Sequence, residues 1–270
     1  SIYSNVLQVR NMDKKMVVID AFNPYEAKFP NRTVISREEL HLIKTLRQQG
    51  IDYKIRSKYS GKFYVLSQKN FETLLTDPIF LTLFNVGVGL ITAYLYDLMK
   101  GSKELNEKLY IKNKDGEVFD YEGNKLDASA IEKITDRMIA SQKKFKETLF
   151  TRSPYNNLPY PVHLEHTPNI IGWCDLVIDE KGLRVDPCKI VCDQTWSRIK
   201  SNELKGMSIG GLVSNSICSV CNSDYRDCNH ITGKLYDGIE CVNEIKKFDL
   251  AEISIVKNPA NMLCNISLQK

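Results

Sequence analysis

Between residues 160 and 256 the chain reads as a succession of short apolar strands: PVHLEH, IIGWCDLVID, GLRVDPCKIV, MSIGGLVS and FDLAEISIV. A single helical stretch, DQTWSRIKSNELKG, precedes the fourth of them. Strands of this length with so few helices argue against a parallel doubly wound sheet. The pattern therefore predicts an α+β fold built on a mostly antiparallel, closed or nearly closed β-barrel with a few surrounding helices.

The N-terminal part has a different texture. MVVIDAF (16–22) and KFYVL (62–66) read as strands, and SREELHLIKTLRQQG between them reads as an amphipathic helix. Ser36 and Glu39 stand at capping-box spacing and Gly50 ends that helix; His41, on it, is read as an ordinary helix histidine. Residues 79–96 then run without a charge. That is the lower edge of membrane-spanning length, but Asn85 and the absence of flanking basic clusters favour a buried hairpin, a core helix or a partner-covered surface. From about residue 104 the composition turns polar, with a hairpin expected at Asp115-Gly116. A helix follows from Asp127, carrying Ile131, Ile134, Met138, Phe145 and Leu149 on one stripe. The expected division is an N-terminal α/β region, 1–104, and a barrel domain, 105–270.

A formal charge of +4 on 270 residues, with no dense Lys/Arg run, gives no footprint for nucleic acid or a membrane surface. Nor do the first residues, SIYSNVLQVRNMDKK, contain an apolar signal core, so export is not expected. The eight cysteines fit a reducing, intracellular setting better than a disulfide framework. Cys174, Cys188, Cys192, Cys241 and Cys264 have no framework spacing. By contrast, Cys218-x2-Cys221-x6-Cys228-x-His230 brings four soft donors together as two close pairs, a set that suits one structural Zn²⁺. Cys241 is a more distant fifth candidate, read as a strand residue. Arg226 is the loop's only basic residue before Lys234, poor material for phosphate contacts.

Three stretches carry groups suited to acyl transfer. His163 and His166 lie in VHLEHTPNIIGW; on a continuous strand they would face opposite ways, so one of them reaches any given site. Ser208, in KGMSIGG, is expected to follow a glycine turn. Gly210 and Gly211 beside it would admit close approach of backbone or substrate, and their N–H groups would serve as oxyanion donors. In FDLAEISIVKNPAN, alternation sends Glu252 into an apolar row, where a carboxylate needs a partner such as an imidazole.

The ordered set HLEHTPNIIGW, DEKGLRVDPCKIV, ELKGMSIGG and FDLAEISIVKNPAN resembles the prohead (capsid maturation) protease family of tailed bacteriophages. In that family a histidine precedes an Ile-Gly strand and a G-L-x-V strand follows. A serine then sits in L-x-G-x-S-I-G, and the last strand reads E-I/V-S-L-V before P-A-N. The likeness spans about residues 150–268 and implies the β-barrel fold of the herpesvirus assemblins. It implies Ser208 as nucleophile, His166 (over His163) as base, and Glu252 as the third member, with Asp249 and Ser254 as rivals for that place. The implied activity is a serine endopeptidase acting on scaffold and major capsid protein inside the procapsid, in the host cytoplasm. Some family members resemble this chain in carrying a C-x2-C…C-x-H loop. The first hundred residues match nothing assignable in the family; docking to portal or capsid, self-processing and another use are the readings for them, and self-association stays open. The alternative for the whole chain is a non-proteolytic assembly module on the same barrel, docking to a capsid, portal or membrane partner through the N-terminal region.

Overall fold

The computed structural model of the protein describes residues 15–67, 79–84, 109–112, 117–120, 124–180, 182–259 and 264–268. The N-terminal elements are β1 (Met16–Asp20), β2 (Val34–Ile35), α1 (Arg37–Gln48), β3 (Asp52–Arg56), β4 (Tyr64–Ser67), β5 (Ile79–Phe84), β6 (Leu109–Lys112) and β7 (Val118–Phe119). Then come α2 (Ala128–Thr148), β8 (Tyr160–Leu164), β9 (Ile170–Asp179), β10 (Gly182–Ile190), α3 (Asp193–Lys200), β11 (Gly206–Cys218), β12 (Leu235–Tyr236), β13 (Ile239–Glu240) and β14 (Asn243–Val256).

Both expected helix starts are present for the expected reasons. The Ser36 hydroxyl accepts from the Glu39 N–H at 3.0 Å and the Glu39 carboxylate accepts from the Ser36 N–H at 2.6 Å, which satisfies two otherwise orphaned donors of α1. Asp127 caps α2 by accepting from the Ala130 N–H at 2.7 Å. Ile131 is half-buried and Leu149 buried on the expected stripe. The side chains of Ile134, Met138 and Phe145 lie outside the description.

The strands form a 5-stranded sheet in the order β3-β1-β5-β6-β7, a 7-stranded sheet in the order β10-β9-β8-β14-β11-β4-β2, and a small β12-β13 hairpin. The larger sheet is antiparallel apart from the β8/β14 and β2/β4 pairs. Among the described residues it ends at β10 and β2, an open order in which the expected closed barrel is not shown. Strand alternation and turn spacing are the same for both, because closure depends on strand tilt and shear, which leave no local mark on the sequence. Residues 79–84 of the apolar run form β5, between β1 and β6; positions 85–96 lie outside the described residues. β6 and β7 pair antiparallel as the expected hairpin, whose turn also lies outside them.

Sheet membership ties the two ends of the chain together. β4 pairs with β11, matching Gly211, Leu212 and Val213 with Ser67, Leu66 and Val65. One apolar core contains Val17 and Ile19 of β1, Leu42, Ile43 and Leu46 of α1, Val65 of β4, Val213 and Cys218 of β11, and Tyr225 and Cys241 beyond it. Another joins Val162, Ile171 and Cys174 to Ile199, Ile253 and Ile255. Burying α1 against both β1 and β11 makes its cap matter to the whole assembly. Ser36→Ala is expected to lower stability by about 1 kcal/mol, read as a shift of the denaturant midpoint without a change in slope.

Candidate active site and cysteine loop

Register in β11 and β14 places the groups. Ser208 lies opposite Ser254 and Gly210 opposite Glu252, and cross-strand partners share a face of the sheet. Ser208, Glu252 and Ser254 are thus neighbours on one surface. On the other side of β14, β8 runs parallel, with Leu164 beside Ile255. β8 stops there, and Glu165 and His166 turn with φ of 52° and 58°. The turn swings the His166 ring back over β14, and the His166 backbone N–H donates to Ser254 Oγ at 3.0 Å. The strand parity expected for His163 and His166 therefore fails: His166 is past the strand, in the left-handed region that few side chains adopt.

The result is a continuous polar chain. His166 Nε2 is 3.0 Å from Ser208 Oγ, and His166 Nδ1 is 2.5 Å from Glu252 Oε1. Ser254 Oγ donates to the other carboxylate oxygen, Oε2, at 2.6 Å. All four residues are buried, Ser208 retaining 9% exposure and His166 1%. Burial alone would push the Glu252 carboxyl up, but the charge and hydrogen bond of His166, with the bond from Ser254, hold it below the ordinary carboxylate value. His163 is elsewhere in the interior, its Nδ1 3.0 Å from the Thr167 carbonyl. Burial pushes its imidazole below the ordinary value. Asp249 pairs with Arg32 at 2.5 Å, away from the histidine. Of the two rivals of Glu252, then, one is engaged elsewhere and the other clamps Glu252 itself.

Gly210 and Gly211 lie inside strand β11, at a register shift. A Cβ on Gly210 would overlap the Glu252 carboxylate and stand 2.6 Å from the Tyr25 hydroxyl; one on Gly211 would meet the Asp249 backbone and the Phe248 ring. The space left by the missing side chains is filled by the protein itself, so what both positions show is a steric requirement.

Residues that drew no attention in the sequence also converge here. Tyr25, fully buried, brings its hydroxyl to 3.4 Å from Glu252 Oε1, and Lys28 donates to the Ala251 carbonyl at 2.8 Å. They come from AFNPYEAKF, which has no motif or period to single them out. A cleft of about 600 Å³ runs beside Leu250–Ile253, walled by Lys28, Phe150, Arg152, Tyr155 and Tyr160. Ser208 and His166 do not line it.

The cysteine loop lies at the other end of β11. The ligand atoms of Cys218, Cys221, Cys228 and His230 all lie within 4.8 Å of one another. Cys218 Sγ is 3.6 Å from His230 Nδ1. A tetrahedral zinc with Zn–S bonds of about 2.3 Å has ligand-to-ligand edges of about 3.8 Å, so the donor set fits that ion with small adjustment. Cys241 is not on a strand: it follows β13, is fully buried, and puts its Sγ 3.7 Å from that of Cys218. Burial pushes the Cys218 thiol up, yet the N–H groups of Cys221 and Val220 bring it down to about 7. His41 is half-buried on α1, and burial pushes it down to about 4.

Against known proteins, residues 125–270 match the family model described as caudovirus prohead serine protease. The chain belongs to that family. No curated protein and no solved structure matches it. The family segment contains His166, Ser208, Glu252, Ser254 and the whole cysteine loop, whereas Tyr25, Lys28 and α1 lie upstream of it. In this prohead protease family member no helix among the described residues is long and apolar enough to cross a membrane.

Two expectations follow from this packing. Gly210→Ala should displace the Glu252 carboxylate and slow covalent labelling of Ser208 by a fluorophosphonate by about 100-fold; a folded variant labelled at the normal rate would refute the steric reading. The pH dependence of stability should also respond. The folded-state value of Glu252 lies below its unfolded one, so it stabilises the native state above the ordinary carboxylate range and loses that contribution as pH falls through roughly 4 and below. Glu252→Gln should accordingly flatten the acid limb of the unfolding midpoint measured against pH.

Proposed function

We propose that this chain is a serine endopeptidase that cleaves scaffold and major capsid protein segments during procapsid maturation, within the procapsid in the host cytoplasm. The observation that carries the reading is the Ser208–His166–Glu252 alignment, with its two contacts of 3.0 and 2.5 Å in a buried setting, inside a segment that belongs to a serine protease family.

In this reading Glu252 accepts the Nδ1–H of His166, which leaves Nε2 with a lone pair directed at Ser208 Oγ. Ser208 attacks the scissile carbonyl as its proton passes to Nε2. The imidazolium so formed is balanced by the carboxylate, and it returns the proton to the leaving amine as the tetrahedral adduct collapses. Water then attacks the acyl carbonyl as it loses a proton to the same Nε2, and that proton passes to Ser208 Oγ as the C–Oγ bond breaks and the acid product leaves. Ser254 and Gly210 act indirectly: one fixes the far carboxylate oxygen and the backbone of the histidine, the other leaves the carboxylate its place. The cysteine loop belongs to the same reading as a structural zinc site, with Cys218, Cys221, Cys228 and His230 as ligands. Four protein donors leave no open position for water, so the ion would hold together a loop too small to have a core of its own.

Labelling with a fluorophosphonate, followed by mass mapping, checks the assignment. The wild-type protein is expected to carry one adduct on Ser208, and Ser208→Ala none. Cleavage of a proteome-derived peptide library should fall at least about 10⁴-fold in that variant. Folded wild-type protein that neither takes the label nor cleaves the library would instead support an assembly role.

A further inference from the structure

Helix α1 lies outside the family segment, yet one of its faces grips the cysteine loop. Lys44, Arg47 and Gln48 are spaced to share that face. Arg47 donates to the Arg226 carbonyl at 2.9 Å and Gln48 to the Asn229 carbonyl at 2.8 Å. Lys44 goes further: it is 0% exposed, and its ammonium lies 2.7 Å from the His230 carbonyl, 3.1 Å from the Cys228 carbonyl and 3.3 Å from Cys228 Sγ. The ring of Tyr225 closes the remaining side, with its centroid 3.4 Å from Nζ. A fully buried ammonium is costly unless an anion faces it, and the group among these partners able to carry a full negative charge is the Cys228 sulfur.

We infer that Lys44 is the outer-sphere cation of the metal centre, donating to the Cys228 thiolate and tying the N-terminal region to the loop. The inference rests on the zinc reading above. Three thiolates and a neutral imidazole around Zn²⁺ leave one net negative charge, and the buried Lys44 ammonium neutralises it. Hydrogen bonds from outside the ligand set fix ligand orientation and tune affinity, and their loss commonly weakens binding by about 10–100-fold. α1 and the loop thereby form one metal-dependent unit.

The test compares zinc affinity of the full chain, by competition with a chromogenic chelator, in wild type, Lys44→Met and Arg47→Met. Wild type is expected to bind one zinc, Lys44→Met to bind it about 10–100-fold more weakly, and Arg47→Met, which loses contacts to the Arg226 carbonyl and to Tyr53 but none to a ligand residue, to stay near wild type. With Co²⁺ in place of zinc, the thiolate-to-metal charge-transfer band should move to longer wavelength in Lys44→Met, because the sulfur loses its donor. Unchanged affinity and an unchanged band would overturn the role of Lys44. Should Lys44→Met fail to fold, hydrogen exchange on wild type decides: stripping zinc should raise exchange across residues 37–48, and unaltered exchange there rejects the coupling. A wild-type chain that binds no zinc overturns the zinc reading itself, and is recognised by its appearance without any substitution.

Discussion

The arrangement depends on one carboxylate kept inside the protein. Glu252 has no access to water, and an unpaired charge there would cost several kcal/mol. Each of its oxygens instead meets a short donor, His166 on Oε1 and Ser254 on Oε2. Such bonds to a charged group are each worth about 1.5–3 kcal/mol. Meeting this requirement shapes the surroundings: Gly210 must lack a side chain, β8 must stop at Leu164, and Glu165 and His166 must enter a backbone region that is unfavourable for them. The groups that satisfy the acid thus also aim the imidazole at Ser208. Stability of the buried pair and readiness for proton transfer arise from the same contacts, so selection on one constrains the other.

Local and periodic features were legible in the sequence. The Ser36–Glu39 box, the Asp127 cap, the strands from 160 onward and the apolar side of β14 each need only neighbouring residues to be read, and the family motifs tied Ser208, His166 and Glu252 to one another in order. Features that depend on the third dimension were not. Parity put His163 and His166 on opposite faces because it assumed a strand, and two consecutive left-handed residues have no sequence mark when neither is glycine. Gly210 reads only as a position open to close approach, because the group that fills its space, Glu252, is 42 residues away in the chain. Tyr25 reaches the acid through tertiary packing alone. Lys44 did leave a trace: it stands four residues after Leu40, on the buried side of α1, where a lysine calls for an anion.

The described elements upstream of the family segment pack against it. β4 forms the neighbour of β11 that the family segment does not supply, and α1 fills the space between β1 and the cysteine loop. Tyr25, Lys28 and Arg32 contact β14 at Glu252, Ala251 and Asp249 in turn. A segment that only docked to a partner would have no need of buried polar contacts to the interior of the protease segment.

The cysteine loop and the acid act at opposite ends of the same strand pair. β11 carries Ser208 near its start and Cys218 at its end, separated by ten positions, or roughly 30 Å of extended chain. The loop connects β11 to β14. Between the two ends the register shifts at Gly210/Gly211 and twice more between Val213 and Ser216. Bulges absorb offsets in a ladder, so register set at the loop is not transmitted rigidly to the serine. The Gly210–Glu252 fit must then set it again locally, because a slip of one residue there would turn Glu252 to the other face of the sheet. The loop joins β11 to β14, and the buried carboxylate selects the alignment in which serine, histidine and acid meet.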